Sequence, residues 1–116
     1  MSNKDAEQIA GVYLDAVESI ITNTNLDEFL SEDVLEVVAH TRYSQIYGTI
    51  VDRVEFLLAY GGPTVRAYVA PETNRVTVEA HWGSQSADID GTISDALSEW
   101  VCEYAATVER QTLVVK

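Results

Sequence analysis

The sequence predicts a single α+β domain: two N-terminal helices, a three-stranded antiparallel β-meander, and a long C-terminal helix packed on the sheet. Two observations at the ends of the chain and one in the middle support this fold. Apolar residues recur at steps of three and four near both termini, as on one face of a helix. Between them, two alternating segments flank the turn sequence PETN, which is typical of a β-hairpin. A length of 116 residues leaves room for one domain, spanning 1–116.

The N-terminal third is predicted to be helical. Residues 3–22 carry one continuous apolar face, formed by Ile9, Val12, Tyr13, Ala16, Val17, Ile20 and Ile21. NTN at 23–25 ends this helix, and a second helical pattern covers 26–38 with Leu26, Phe29, Leu30, Val34, Val37 and Val38 on one side. The last part of that pattern, VLEVVAH, is rich in β-branched residues, so a strand remains an alternative there.

The middle of the chain is predicted to form the meander. TRYSQIYGT at 41–49 is interpreted as a connection, and VDRVEFLLAY at 51–60 as the first strand, with a helix as the alternative. TVRAYVA and RVTVEAHW then form the hairpin, with Val69 opposite Val76 and Arg66 opposite Glu79. Alternation predicts two faces: one apolar face with Val65, Ala67, Val69, Val76, Val78, Ala80 and Trp82, and one polar face that adds Tyr68, Thr77 and His81.

The C-terminal helix is predicted to begin at a capping box formed by Thr92 and Asp95 and to end near Arg110. Its inward face is an unbroken apolar pattern of Ile93, Ala96, Leu97, Trp100, Val101, Tyr104, Ala105 and Val108. The tail TLVVK is apolar enough either to add an edge strand or to sit in a partner.

The composition limits the classes of function. Nineteen acidic residues against seven basic ones give a net charge of −12, which argues against direct binding to nucleic acid or to an anionic membrane. The chain has neither a signal-like N-terminus nor an apolar run of roughly 18 residues, which predicts a cytoplasmic protein. Its one cysteine excludes an internal disulfide.

No motif in the sequence identifies a reaction. The candidate catalytic side chains are His40, His81 and Cys102, and each has a simpler explanation as a surface histidine or an inert, partly buried thiol. YGGPT lacks the lysine and the helix start of a phosphate-binding loop. ADIDG at 87–91 begins like a calcium loop but lacks a third oxygen ligand and a distal glutamate. We therefore expect no catalytic residue, no metal and no cofactor.

The acidic residues are the most informative feature. In SDALSEWVCEY, Asp95, Glu99 and Glu103 fall four residues apart, so on a helix they form a ridge of like charges that repel one another. The second helical segment adds further acids with no basic residue among them: Asp27, Glu28, Glu32, Asp33 and Glu36. Two interpretations stay open. The acids provide solubility, as in a salt-loving or high-GC organism, or they form a surface for a basic partner.

A small, acidic chain without enzymatic motifs resembles the inhibitors that phages and plasmids carry against host defences, the anti-CRISPR and anti-restriction proteins. LLAYGGPTVRAYV followed by VTVEAHWGS, about residues 57–84, is also similar to small proteins of mobile elements. The resemblance implies a non-enzymatic DNA mimic that occupies the basic groove of a CRISPR effector, nuclease or restriction enzyme. It transfers no functional residues, so the eight acids above are nominated from charge alone.

Two alternatives remain. One is a small enzyme or ligand-binding domain built around Tyr68, His81 and Trp82 on the sheet. The other is an acidic oligomerisation module, with a homodimer as its simplest form.

Overall fold

A computed structural model describes residues 4–114, with side chains through Gln111. It confirms an α+β fold in which a C-terminal helix packs on an antiparallel sheet, but the sheet has five strands rather than three. The strands follow one another as a meander, in the order β1-β2-β3-β4-β5. They are β1 Glu36–Ser44, β2 Gly48–Ala59, β3 Thr64–Val69, β4 Arg75–Trp82 and β5 Gln85–Thr92.

The first helix, α1 Lys4–Glu18, lies on β4 and β5. Its predicted apolar face is correct only in part: Val17 is buried, whereas Val12 is 62% exposed and Ala16 is also exposed. The helix instead buries Ala6 and Ala10, which the predicted face did not include. The helix ends before Ile20 and Ile21.

The predicted second helix is wrong in its C-terminal half. A short helix, α2 Asn23–Glu28, is capped by the preceding residue Thr22, whose side chain accepts a hydrogen bond from the Asn25 amide. It continues as a π-helical segment, Phe29–Asp33, and the chain then extends into β1. The β-branched residues of VLEVVAH therefore favour a strand here, because they pack well on a pleated surface.

The predicted connection TRYSQIYGT is instead the tip of the β1–β2 hairpin. The Ser44 hydroxyl accepts hydrogen bonds from the amides of Ile46 and Tyr47, which shapes the turn. Gly48 has a φ of 79°, a conformation that glycine adopts without steric cost. The first predicted strand is confirmed as β2, in which Val54, Phe56 and Leu58 are buried.

The predicted hairpin of β3 and β4 is confirmed in its register. Val69 pairs with Val76 and Arg66 pairs with Glu79. The predicted apolar residues are buried on the helix side of the sheet, except for Trp82 at the end of β4, which is 42% exposed.

The last strand, β5, was not predicted, because its sequence QSADIDGT alternates small and acidic residues and contains a glycine. It pairs with β4 along its whole length, from Trp82–Gln85 to Arg75–Thr92. ADIDG is therefore strand rather than a metal-binding loop.

The C-terminal helix, α3 Asp95–Val114, packs on β2 and buries Leu97, Val101 and Ala105. The predicted capping box is wrong, since Thr92 belongs to β5. Ser94 caps the helix instead, with its hydroxyl facing the Leu97 amide at 3.5 Å. Residues 112–114 continue the helix, so these residues of the apolar tail do not form an edge strand, and the rest of the tail lies outside the described residues.

All three helices lie on one side of the sheet, and the buried cluster fills the space between them. The other face of the sheet is left to polar side chains. No helix within residues 4–114 is both long enough and apolar enough to cross a membrane.

Candidate functional site

The acidic ridge of α3 has the predicted spacing and is exposed to solvent. Asp95, Glu99 and Glu103 are all exposed, because Leu97, Val101 and Ala105 turn the opposite side of the helix toward the sheet. Asp95 also has a structural role: its carboxylate accepts a hydrogen bond from the Asn74 side chain at 3.1 Å. The outward charge of the ridge is therefore carried by Glu99 and Glu103.

The second acidic group lies on the neighbouring helical segment. Asp27 and Glu28 end α2, and Glu32 and Asp33 lie in the π-helical segment; all four are exposed. Because α2 contacts α3, both groups belong to the same helical layer. We call Asp27, Glu28, Glu32, Asp33, Glu99 and Glu103 the acidic helical surface.

Glu36 does not belong to this surface. It was predicted on the second helix, but it is the first residue of β1 and pairs with Leu57 on β2. The strand begins there because the helical pattern ends at Asp33, so Glu36 lies at an edge of the sheet instead.

Most basic residues lie on the sheet, where several of them pair with acidic side chains of the strands. Four of the five arginines and both histidines lie on strands. In the described part of the chain the ion pairs join strand residues: His40 and Arg66 with Glu55, Arg42 with Asp52, and His81 with Glu79. No described cation lies within ion-pair distance of the acidic helical surface, so its charge faces solvent uncompensated.

On the open face of the sheet, Glu55 is held between two strands. One of its oxygens lies 2.7 Å from His40 Nε2, and the other accepts a hydrogen bond from Arg66 Nε at 3.2 Å. The Glu55 side chain is only 14% exposed, so its charge is used within the sheet. This clamp ties β1 to β3 across β2.

A second polar group surrounds Tyr68. Its hydroxyl donates to Glu79 at 3.5 Å, and Glu79 also lies 3.0 Å from His81 Nε2. The Arg53 guanidinium stacks 4.3 Å above the Tyr68 ring. Burial, and then the carboxylates of Glu79 and Glu55, raise the pKa of the Tyr68 phenol, while Arg66 and Arg53 act in the opposite direction. Tyr68 is therefore a protonated donor at neutral pH and not a base.

An open depression of about 360 Å³ lies beside this group. It is lined by positively charged, negatively charged and hydroxyl side chains, including Arg53, Arg75, Thr77, Glu79 and Asp88. His81 and Trp82 do not line it. Trp82 shares the strand parity of Val78 and Ala80, so it belongs to the other face of the sheet from Tyr68 and His81. Of the three residues nominated for a sheet-face site, Tyr68 and His81 therefore meet at Glu79, whereas Trp82 is apart from them.

The remaining candidate, Cys102, joins α3 to the β3–β4 turn. The backbone amide of Glu72 donates to its sulfur at 3.1 Å, and the thiol is partly buried. Among the described residues, no three His, Cys, Asp or Glu side chains converge to hold a metal ion.

No protein family, curated protein or solved structure matches this chain. Statements about its function therefore depend on its own residues.

Proposed function

We propose that this chain is a non-enzymatic intracellular binding protein whose acidic helical surface occupies a basic surface of a nucleic-acid-handling protein. The observation that carries the proposal is the set of six exposed carboxylates on neighbouring helical segments, without a cation in ion-pair distance among the described residues. The basic residues that could neutralise them lie mainly on the strands instead.

Such a surface resembles a nucleic-acid backbone in its density of negative charge. Carboxylates at four-residue spacing on a helix stand about 6 Å apart, so they present closely spaced negative charges. A protein groove that binds phosphates through Lys and Arg would be attracted by the same long-range field. The partner class that fits this charge pattern is a CRISPR effector, a nuclease or a restriction enzyme, and the mode of action is DNA mimicry.

The test is capture of the partner by wild-type protein and by Glu99→Lys/Glu103→Lys, from lysate of the native host, with washes at low and at high salt. We expect wild type to retain a nucleic-acid-binding protein that high salt releases. We expect the double variant to bind it about 10- to 100-fold more weakly, because two attractive contacts become repulsive.

The matched control is Asp88→Lys/Asp90→Lys, which makes the same change of charge on β5, on the opposite side of the sheet. The control should bind the partner as wild type does, and nucleic acid should compete with wild type for the captured protein. If both double variants weakened binding equally, the effect would depend only on net charge and the proposal would be overturned. Binding that nucleic acid does not displace would also overturn it.

The second candidate function is binding of a small polar ligand in the depression on the open face of the sheet. The observation that favours it is the presence of Arg53, Arg75, Glu79 and Asp88 around one cavity of about 360 Å³, which suits a molecule carrying both charges. A thermal-shift screen of zwitterionic metabolites tests it. A ligand that stabilises wild type but not Arg75→Ala would support this function, and a screen without hits would count against it.

A further inference from the structure

The two edges of the sheet differ in their suitability for pairing with another strand. Edge strands expose unpaired backbone amides and carbonyls, which can pair with a second chain unless charges or covering elements prevent it. The edges here are β1 and β5. Among the described elements, β2 is the one that packs closely on β1, so the outer edge of β1 carries no neighbouring strand or helix.

The β5 edge is protected against self-pairing. Asp88 and Asp90 flank Ile89 on this strand, and both are exposed. If two copies paired antiparallel about Ile89, Asp88 of each would face Asp90 of the other. Like charges directly opposite one another destabilise a strand pair, so pairing about Ile89 is disfavoured at this edge.

The β1 edge has the opposite property, because its charges are self-complementary. In an antiparallel pair centred on Ala39, Glu36 of each copy faces Arg42 of the other, twice in the dimer. Glu36 is exposed, and no described cation lies within ion-pair distance of it. Arg42 bonds Asp52 through Nε at 2.8 Å, which leaves its two terminal nitrogens available for a second carboxylate.

The same register also covers exposed apolar surface. The Leu35 and Tyr43 side chains are 62% and 76% exposed. Pairing centred on Ala39 brings Leu35 of one copy opposite Tyr43 of the other, again twice. Both residues have the parity of Val37 and Ala39, whose side chains pack against the core on the helix side of the sheet. This single register therefore pairs the free backbone groups of β1, places charges of opposite sign opposite each other, and covers the exposed apolar side chains.

We propose that β1 is a homodimer interface, in which two copies pair antiparallel about Ala39 and form one ten-stranded sheet. The contact is isologous, since the same strand serves on both sides of a two-fold axis. That axis runs perpendicular to the sheet, so the helical layers of both copies lie on the same side. The inference does not depend on the proposed function, because Glu36 and Arg42 lie outside the acidic helical surface.

The test uses two single variants of opposite charge, Glu36→Arg and Arg42→Glu. In each homodimer like charges would face each other at both pairs, so we expect each variant to dimerise at least about tenfold more weakly than wild type. In an equimolar mixture, the arginine introduced into one variant faces the glutamate introduced into the other, and the unchanged Arg42 faces the unchanged Glu36. Because both pairs are complementary again, the mixture should form a heterodimer, measured by sedimentation and, through the mass difference, by native mass spectrometry.

The control is Asp88→Arg, which changes the charge as Glu36→Arg does but at the other edge of the sheet; it should dimerise at least as well as wild type. Formation of the heterodimer from two weakened variants supports the register, and it also shows that both variants are folded. A wild type that stays monomeric across the micromolar range would overturn the proposal. So would a wild-type dimer that both single variants leave intact, or variants that do not pair when mixed.

Discussion

Replacing Phe56 by alanine should lower the free energy of unfolding by about 3–5 kcal/mol, the largest effect we expect from a single substitution in this chain. Phe56 is 1% exposed and lies between two other rings, 5.8 Å from Phe29 and 5.7 Å from Trp100. It therefore joins β2 to the π-helical segment and to α3, and its removal leaves a cavity between three elements. Urea unfolding followed by circular dichroism measures the loss.

The matched control is Leu57→Ala, which removes an aliphatic side chain from the next residue of the same strand. Leu57 lies on the open face and is only partly buried, so its loss should cost about 1 kcal/mol or less. Equal costs for the two variants would contradict the assignment of Phe56 to the core and Leu57 to the open face.

Replacing Gly91 by valine should destabilise the protein by about 1–3 kcal/mol through overpacking. A Cβ at this position would lie 2.5 Å from Leu14 Cδ1 and 2.7 Å from a carboxylate oxygen of Glu18. That same Glu18 oxygen accepts a hydrogen bond from the backbone amide of Thr92 at 3.1 Å. The Leu14 and Glu18 side chains would have to rotate away, and the rotation of Glu18 would break this hydrogen bond, which thermal unfolding would report as a lower Tm.

The control for Gly91 is the other glycine at the α1 layer. Gly11 lies within α1, and a Cβ there would meet nothing within 4 Å. Gly11→Ala should therefore raise the free energy of unfolding by about 0.5–1 kcal/mol, since alanine loses less backbone entropy in a helix. If Gly91→Val were neutral, the close contact of the Leu14 and Glu18 side chains with Gly91 would be wrong.

Glu36 shows that sequence spacing alone does not assign every acidic residue to the correct surface. Eight acids were nominated as one kind of surface, yet six face solvent on the helical layer, Asp95 bonds Asn74, and Glu36 lies at the sheet edge. Sequence spacing identifies which acids can share a helix face. It does not identify which acid has a neighbour from another element, because Asn74 is 21 residues from Asp95 in the chain.

The sequence by itself determined the features that depend on local periodicity. These are the apolar face of α3, part of the apolar face of α1, the β3–β4 hairpin with Val69 opposite Val76, and the spacing of Glu99 and Glu103. Each follows from the 3.6-residue or two-residue repeat of side chains, which a single segment contains in full.

The tertiary structure alone decided the rest. QSADIDGT has weak strand propensity and becomes β5 only because β4 supplies its hydrogen-bond partners and α1 covers its inner side. VLEVVAH fits a helix or a strand by its pattern, and its pairing with β2 selects the strand. The pairing of Arg42 and Arg66 with strand carboxylates is likewise a property of the fold, because Asp52 and Glu55 meet these arginines only when the strands pair.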